Sequence, residues 1–239
     1  MDRVLEEARQ KIIDFMENEY RGEDIRFCSA YLFGDSKFIE KNRVLADTFN
    51  GLAVVERPNI IYIKTDTELK INGVSIRELT EKLHLAAFFG GDIKSIENSA
   101  NNVIISENLS FFMSAKPKNS VFLYNKGFHL TKQISHFVKK LTFDRVIFFG
   151  DVDLEGLAIY DAFREHFDGI EFYPDPETIR FVISVYGDAL PPLKQQDRKI
   201  TFLKGIAEML KEKNVRIEQE FLQVLFARGR LKRPEWMDM

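Results

Sequence analysis

The pattern of apolar positions changes character along the chain. From Val4 to Tyr20, the residues Leu5, Ala8, Ile12, Phe15 and Met16 fall on one helical face, and Gly22 follows as a stop. A second helix is predicted from Lys37 to about Phe49, with Asp35 or Ser36 as its cap and Gly51 ending it. Short β-like pieces come next: LAVVER from Leu52, IIYIK from Ile60 and ELKING from Glu68, with turns at Pro58-Asn59 and Asp66-Thr67. Ser75 to Leu85 reads as a helix opened by a capping box, Ser75 with Glu78 three residues on. The stretch Phe88-Phe89-Gly90-Gly91 reads as a loop.

Beyond this point the alternation stops. NVIISEN, SVFLYNKG and RVIFFGD are continuous apolar bursts, the signature of strands buried on both faces of a parallel sheet. Helical segments follow the bursts, His129 to Leu141 after the second and Leu154 to Phe167 after the third. Strand and helix in alternation predict an α/β fold with a largely parallel sheet. Ile170 to Asp175 and Phe181 to Tyr186 read as further strands, and the tail from Lys199 as mostly helical. The organisation predicted is a mixed α+β region over 1–97, a Rossmann-like core over 98–190 and a helical region with a basic tail over 191–239.

Each burst ends in polar residues: Glu107-Asn108, Asn125-Lys126-Gly127, and Asp151 with Asp153. Parallel strands bring all three ends to one edge, where open α/β sheets bind their ligands. Glu107, Asp151 and Asp153 would then converge. Carboxylates held together repel unless one is protonated or a cation sits among them. Oxygen donors of this kind suit Mg²⁺ or Mn²⁺, which commonly reach on to a substrate phosphate. Gly156 and the helix after Asp153 add backbone donors suited to phosphate, and Lys126 adds a positive charge at the neighbouring strand end. An Asp-x-Asp after a strand is also a common helix cap, and that plain structural role is the alternative for each acid.

Other motifs with the same lettering fit less well. DVDLEG resembles the opening of an EF-hand loop, but the fifth and twelfth positions are Glu155 and Ala162, and a strand precedes it. The aspartyl-phosphatase pattern fails at Glu155 as well and stays a weak alternative. Neither G-x-x-x-x-G-K-[ST] nor G-x-G-x-x-G occurs. Composition narrows the field further. The net charge of −3 means that any nucleic-acid site is a local patch. The single cysteine, Cys28, excludes a disulfide framework and a cysteine-built zinc site, and fits a cytoplasmic protein. No apolar run reaches the roughly 18 to 20 residues of a membrane span. The clearest basic cluster is Arg228, Arg230, Lys232 and Arg233, either a phosphate-binding tail or a solvated one. His129, at the start of its helix near the acidic edge, is a further candidate for phosphate contact.

The strand-end Glu with an Asp-x-Asp two strands later resembles a Toprim domain. Five stretches in order, LFGDSKFIE (Leu32 to Glu40), ISENLSFF (Ile105 to Phe112), FFGDVDLEGLAI (Phe148 to Ile159), DPETIR (Asp175 to Arg180) and RIEQEF (Arg216 to Phe221), resemble JetD, the nuclease component of Wadjet plasmid-defence systems, with its Toprim of the topoisomerase VI type. The resemblance implies metal-dependent cleavage of double-stranded DNA in plasmid or phage defence, with Glu107, Asp151 and Asp153 at the metal. It also brings in Glu218 and Glu220 of the E-Q-E stretch, as metal ligands or as structural residues. It implies an SMC-like or other ATPase partner, and two cuts on opposite strands would suit a homodimer. Leu32 to Glu40 stands near the start of this sequence, where family members carry a longer arm. The winged-helix domain bearing the nucleophilic Tyr of topoisomerase VI has no counterpart before the acids, although Tyr20 and Tyr31 are there, so attack by water is expected. The alternative from another class is a non-catalytic Toprim-like protein that binds DNA or a partner protein.

Overall fold

The computed structural model describes residues 3–20, 23–52, 60–127, 131–194 and 198–238. It divides into two compact units, residues 1–58 and 59–239.

The first unit is helical: α1 (Arg3–Asn18), α2 (Ile25–Phe33), α3 (Phe38–Lys41) and α4 (Arg43–Leu52). Ala8, Ile12 and Phe15 of α1 meet Cys28, Ile39, Leu45 and Phe49 in a small core, so the predicted apolar face of α1 is the buried one. The helix expected from Lys37 to Phe49 is two helices. Asn42 is extended between them, and its Oδ1 accepts from the Val44 N–H at 3.0 Å, starting the second one afresh. Gly51 lies inside α4 and does not end it. The helix α2 was not anticipated; Asp24 caps its start and Gly34, at φ 73°, its end.

The second unit begins with β1 (Ile60–Thr65), β2 (Leu69–Ile71), β3 (Val74–Ser75), α5 (Ile76–Leu83), β4 (Ala86–Phe89), β5 (Ile96–Asn98), β6 (Asn102–Ser106) and α6 (Leu109–Ser114). It continues through β7 (Lys116–Pro117), β8 (Ser120–Tyr124), α7 (Thr131–Val138), β9 (Arg145–Phe149), α8 (Leu154–Arg164), β10 (Glu171–Tyr173), α9 (Pro176–Tyr186), α10 (Lys204–Lys213), α11 (Gln219–Ala227) and β11 (Met237–Asp238). Six strands form the main sheet in the order β10-β9-β6-β8-β1-β4. The four from β10 to β8 are parallel, and β1 and β4 extend the sheet antiparallel. The architecture is α/β with a mostly parallel sheet, compatible with the Rossmann-like Toprim core. The three apolar bursts are β6, β8 and β9, and their inner residues are buried without alternation, as strands covered on both faces require.

Several expectations change. Phe181 to Tyr186 is the second half of α9, not a strand. Asp175 caps that helix and Pro176 opens it, and Ile179, Val182 and Ile183 form the buried face at helical spacing while Phe181 and Val185 face out. Phe88 and Phe89 belong to β4, paired with Ile61 and Ile60, and only Gly90 onward leaves the sheet. The compact units meet at 58/59, and β1 and β4 belong to the same main sheet as the three bursts. The C-terminal region is helical in α10 and α11, but Trp236 then packs its ring against Phe122, Phe149 and Tyr173, and β11 pairs with β7. Of LAVVER, all but Leu52 lies outside the described residues. Ser75 does cap α5, accepting from the Glu78 N–H at 3.3 Å.

One polar group in this core has a structural task. Lys64 of β1 is 8% exposed, and its ammonium donates to the carbonyls of Phe112, Met113 and Ala115 at the C-terminal end of α6. It satisfies helix-end acceptors that burial would otherwise leave unpaired. Among the described residues no helix is long and apolar enough to cross a membrane.

Candidate functional site

The parallel register sets the site. Ser106 of β6 lies level with Tyr124 of β8 on one side and Phe149 of β9 on the other. The residues that follow these three therefore emerge in one row at the C-terminal edge: Glu107, Asn125-Lys126 and Gly150-Asp151. The Asn125 N–H donates to the Ser106 carbonyl at 2.7 Å, holding the row together one step past the strands.

Two glycines let the chain turn there. A β-carbon on Gly150 would stand 2.6 Å from the Phe148 ring and 3.4 Å from the Glu107 carboxyl carbon. One on Gly156 would stand 2.2 Å from the Asp151 carbonyl oxygen, closer than any side chain permits. Only glycine lets α8 begin so near Asp151. Asp153 caps that helix, with Oδ1 accepting from the N–H groups of Glu155 at 3.0 Å and Gly156 at 2.8 Å. The capping role weighed from the sequence is thus real for Asp153, and it leaves the second carboxylate oxygen outside the cap.

Glu107, Asp151, Asp153 and Glu155 share the wall of an open cleft of about 220 Å³ with Tyr124, Lys126 and Lys194. The acids perturb one another. Burial pushes the Glu107 carboxyl up to about 8, the charges of Asp151 and Asp153 push the same way, and the Asp151 N–H partly offsets them. Burial also lifts Asp151 to about 6, against the hydrogen bond from the Gln219 N–H and with the charges of Asp153, Glu220 and Glu218. The buried Oε2 of Glu107 has no hydrogen-bond partner. An orphaned carboxylate oxygen beside other oxygen donors is chemistry that suits a hard divalent cation. Among the described residues no three His, Cys, Asp or Glu side chains close on one point as a finished chelate. Mg²⁺ does not require that closure, because it commonly takes one or two carboxylates and completes its shell with water and phosphate.

The remaining candidates are placed as follows. Lys126 lines the cleft with its side chain exposed. His129 lies outside the described residues. Glu218 pairs with Arg216 at 2.8 Å, and Glu220 accepts from the Asn108 side-chain amide at 2.8 Å. Arg228, Arg230, Lys232 and Arg233 are exposed on the connection between α11 and β11, and Arg233 pairs with Asp238 at 3.6 Å. This connection lies at the end of α11 away from Asp151, so the basic cluster is not part of the cleft. Sequence reasoning missed Lys194 and Gln219. Lys194 comes from the stretch after Pro191-Pro192 and carries no local signal. Gln219 lies inside the E-Q-E stretch, where attention falls on its acidic neighbours.

The acids gather at the C-terminal edge of an α/β sheet, the place where open sheets of this kind bind their ligands. The family described as Wadjet protein JetD, C-terminal, matches residues 56–231, and the chain belongs to that family. This places it among Wadjet defence-related proteins. None of the curated proteins compared with the chain matches it.

Proposed function

We propose that the protein is a metal-dependent endonuclease that hydrolyses phosphodiester bonds of double-stranded DNA in plasmid or phage defence. The supporting observation is the cleft in which four carboxylates face two lysines at the C-terminal edge of a mostly parallel sheet. Glu107, Asp151 and Asp153 hold Mg²⁺ or Mn²⁺. When bound, such a cation supplies Lewis acidity toward a phosphodiester oxygen and toward water. Lys126 and Lys194 draw the phosphate into the cleft and offset the charge that grows on it during displacement. Asp153 anchors the start of α8 while presenting its other oxygen, and Gly150 and Gly156 allow the close approach of these segments. Family membership supports an SMC-like or other ATPase as working partner. A homodimer would supply the second cleft needed for a second strand.

The test is supercoiled plasmid incubated with the protein under Mg²⁺, Mn²⁺ or EDTA, beside Asp151→Ala. Nicking or linearisation is expected with either metal, none with EDTA, and at least a hundredfold less with the variant. A wild-type protein that shifts plasmid on a gel without cutting it, with or without its ATPase partner, would replace this proposal with a binding protein.

A further inference from the structure

Three of the cleft's four acids, Glu107, Asp151 and Asp153, follow two strand ends, and a third segment ties those ends together. Ile217 forms a two-way antiparallel bridge with Val152, between the two Asp residues, at 2.8 and 3.2 Å. The next turn of chain is Gln219, which is 0% exposed although it is a polar residue. Its backbone N–H donates to Asp151 Oδ1 at 2.9 Å. Its side-chain amide donates to the carbonyl of Phe149, the last residue of β9, at 2.9 Å, and reaches Ser106 Oγ, on the last residue of β6, at 3.4 Å. Ser106 and Phe149 are the final paired residues of the β6–β9 ladder. Gln219 therefore bonds across the seam at the point where the sheet's own hydrogen bonds stop. Glu107 follows directly on one side and Gly150-Asp151 on the other.

A buried amide that spends its donor on one strand and meets a hydroxyl on the other is costly to place unless its bonds are made. Here they set the separation of the two strand ends. We propose that Gln219 is a positioning residue: it fixes Glu107 and Asp151 relative to each other so that both face one divalent cation. The proposal rests on the metal-site reading above. Its neighbour Glu220 supports the same clasp through Asn108, whose Oδ1 caps α6 by accepting from the Phe111 N–H at 2.9 Å.

The experiment measures Mn²⁺ affinity from the electron paramagnetic resonance of free Mn²⁺, on wild type, Gln219→Met, Ser106→Ala and the double variant. Met keeps the length and volume of Gln and removes the amide. Groups that orient metal ligands from behind typically contribute about 10–100-fold in metal affinity, so Gln219→Met is expected to weaken Mn²⁺ binding about tenfold or more. Ser106→Ala is expected to weaken it about two- to threefold. The double variant is expected to be no worse than Gln219→Met, since both act through one contact. Melting in EDTA confirms that each variant is folded, and if Gln219→Met is not, Ser106→Ala carries the test. Unchanged Mn²⁺ affinity in a folded variant would overturn the proposal. Hydrogen exchange of the side-chain amides separates the clasp from the metal: Gln219 is expected to exchange far more slowly than exposed Gln10. Slow Gln219 exchange in a wild type that binds no Mn²⁺ would remove the metal site and leave only a structural clasp. Exchange as fast as Gln10 would remove the clasp itself.

Discussion

Glu107 holds its proton into the neutral range. Its carboxyl moves from an ordinary 4.5 to about 8, chiefly by burial, and Asp151 moves from 3.8 to about 6 for the same leading reason. Both shifts are upward, so the folded chain binds more protons than the unfolded chain between the two values of each group. Stability is then full below the unfolded values and is lost as pH rises, between 3.8 and about 6 for Asp151 and between 4.5 and about 8 for Glu107. In EDTA, the midpoint of urea unfolding is expected to fall across that window. Glu107→Gln, which keeps the shape without the charge, is expected to flatten the upper part and to raise stability at pH 8 by about 1–3 kcal/mol. A wild-type curve flat from pH 5 to 8 would contradict this. The three acids were legible in the sequence because each follows a burst of buried residues, and parallel strands leave such ends no other place. Lys194 and Gln219 were not, because what recommends them is contact with residues far away in the chain.

At the scale of elements, legibility followed periodicity. β6, β8 and β9 show as unbroken apolar runs, and α1 as an evenly spaced face. α9 was misread because Phe181, Val182, Ile183, Val185 and Tyr186 are strand-favouring types, and the helix is set by what precedes them, Asp175 and Pro176 at its start. The Phe88-Phe89 pair was misread because the glycines after it look like loop, yet β1 offers an edge for β4 to join. α6 follows directly on Glu107-Asn108, so whatever fixes its far end also steadies the site. That far end is held by the Lys64 ammonium through three carbonyls. Lys64→Met is expected to cost about 1–3 kcal/mol, since the donors vanish while the acceptors stay buried. Urea denaturation at pH 7 measures it, and an unchanged midpoint would show that the carbonyls find other partners.

Over the second unit, charge is distributed toward two ends. The cleft gathers four acids and two lysines at the C-terminal edge of the sheet. Arg228, Arg230, Lys232 and Arg233 follow α11, whose nine residues span about 13 Å leading away from Asp151. DNA that reaches both would lie along this unit and meet more than the cleft. Replacing the four cations by Gln is expected to weaken binding of a DNA duplex and to reduce the slope of log affinity against log salt by up to about 3–4, at roughly 0.9 per phosphate contact. Fluorescence anisotropy across a salt series reads it, and an unchanged slope would return the tail to the role of a solvated connection.

The contacts that complete the cleft span long stretches of chain: Gln219 lies 68 residues from Asp151 and 113 from Ser106, and Glu220 lies 112 from Asn108. A polypeptide emerging from the ribosome holds Glu107, Asp151 and Asp153 as soon as α8 is made, but the clasp that orders them arrives only with α11. Until then the acids are present without being assembled. A half-made or partly unfolded copy would carry the full acidic motif without the arrangement that the proposed metal-dependent cleavage requires.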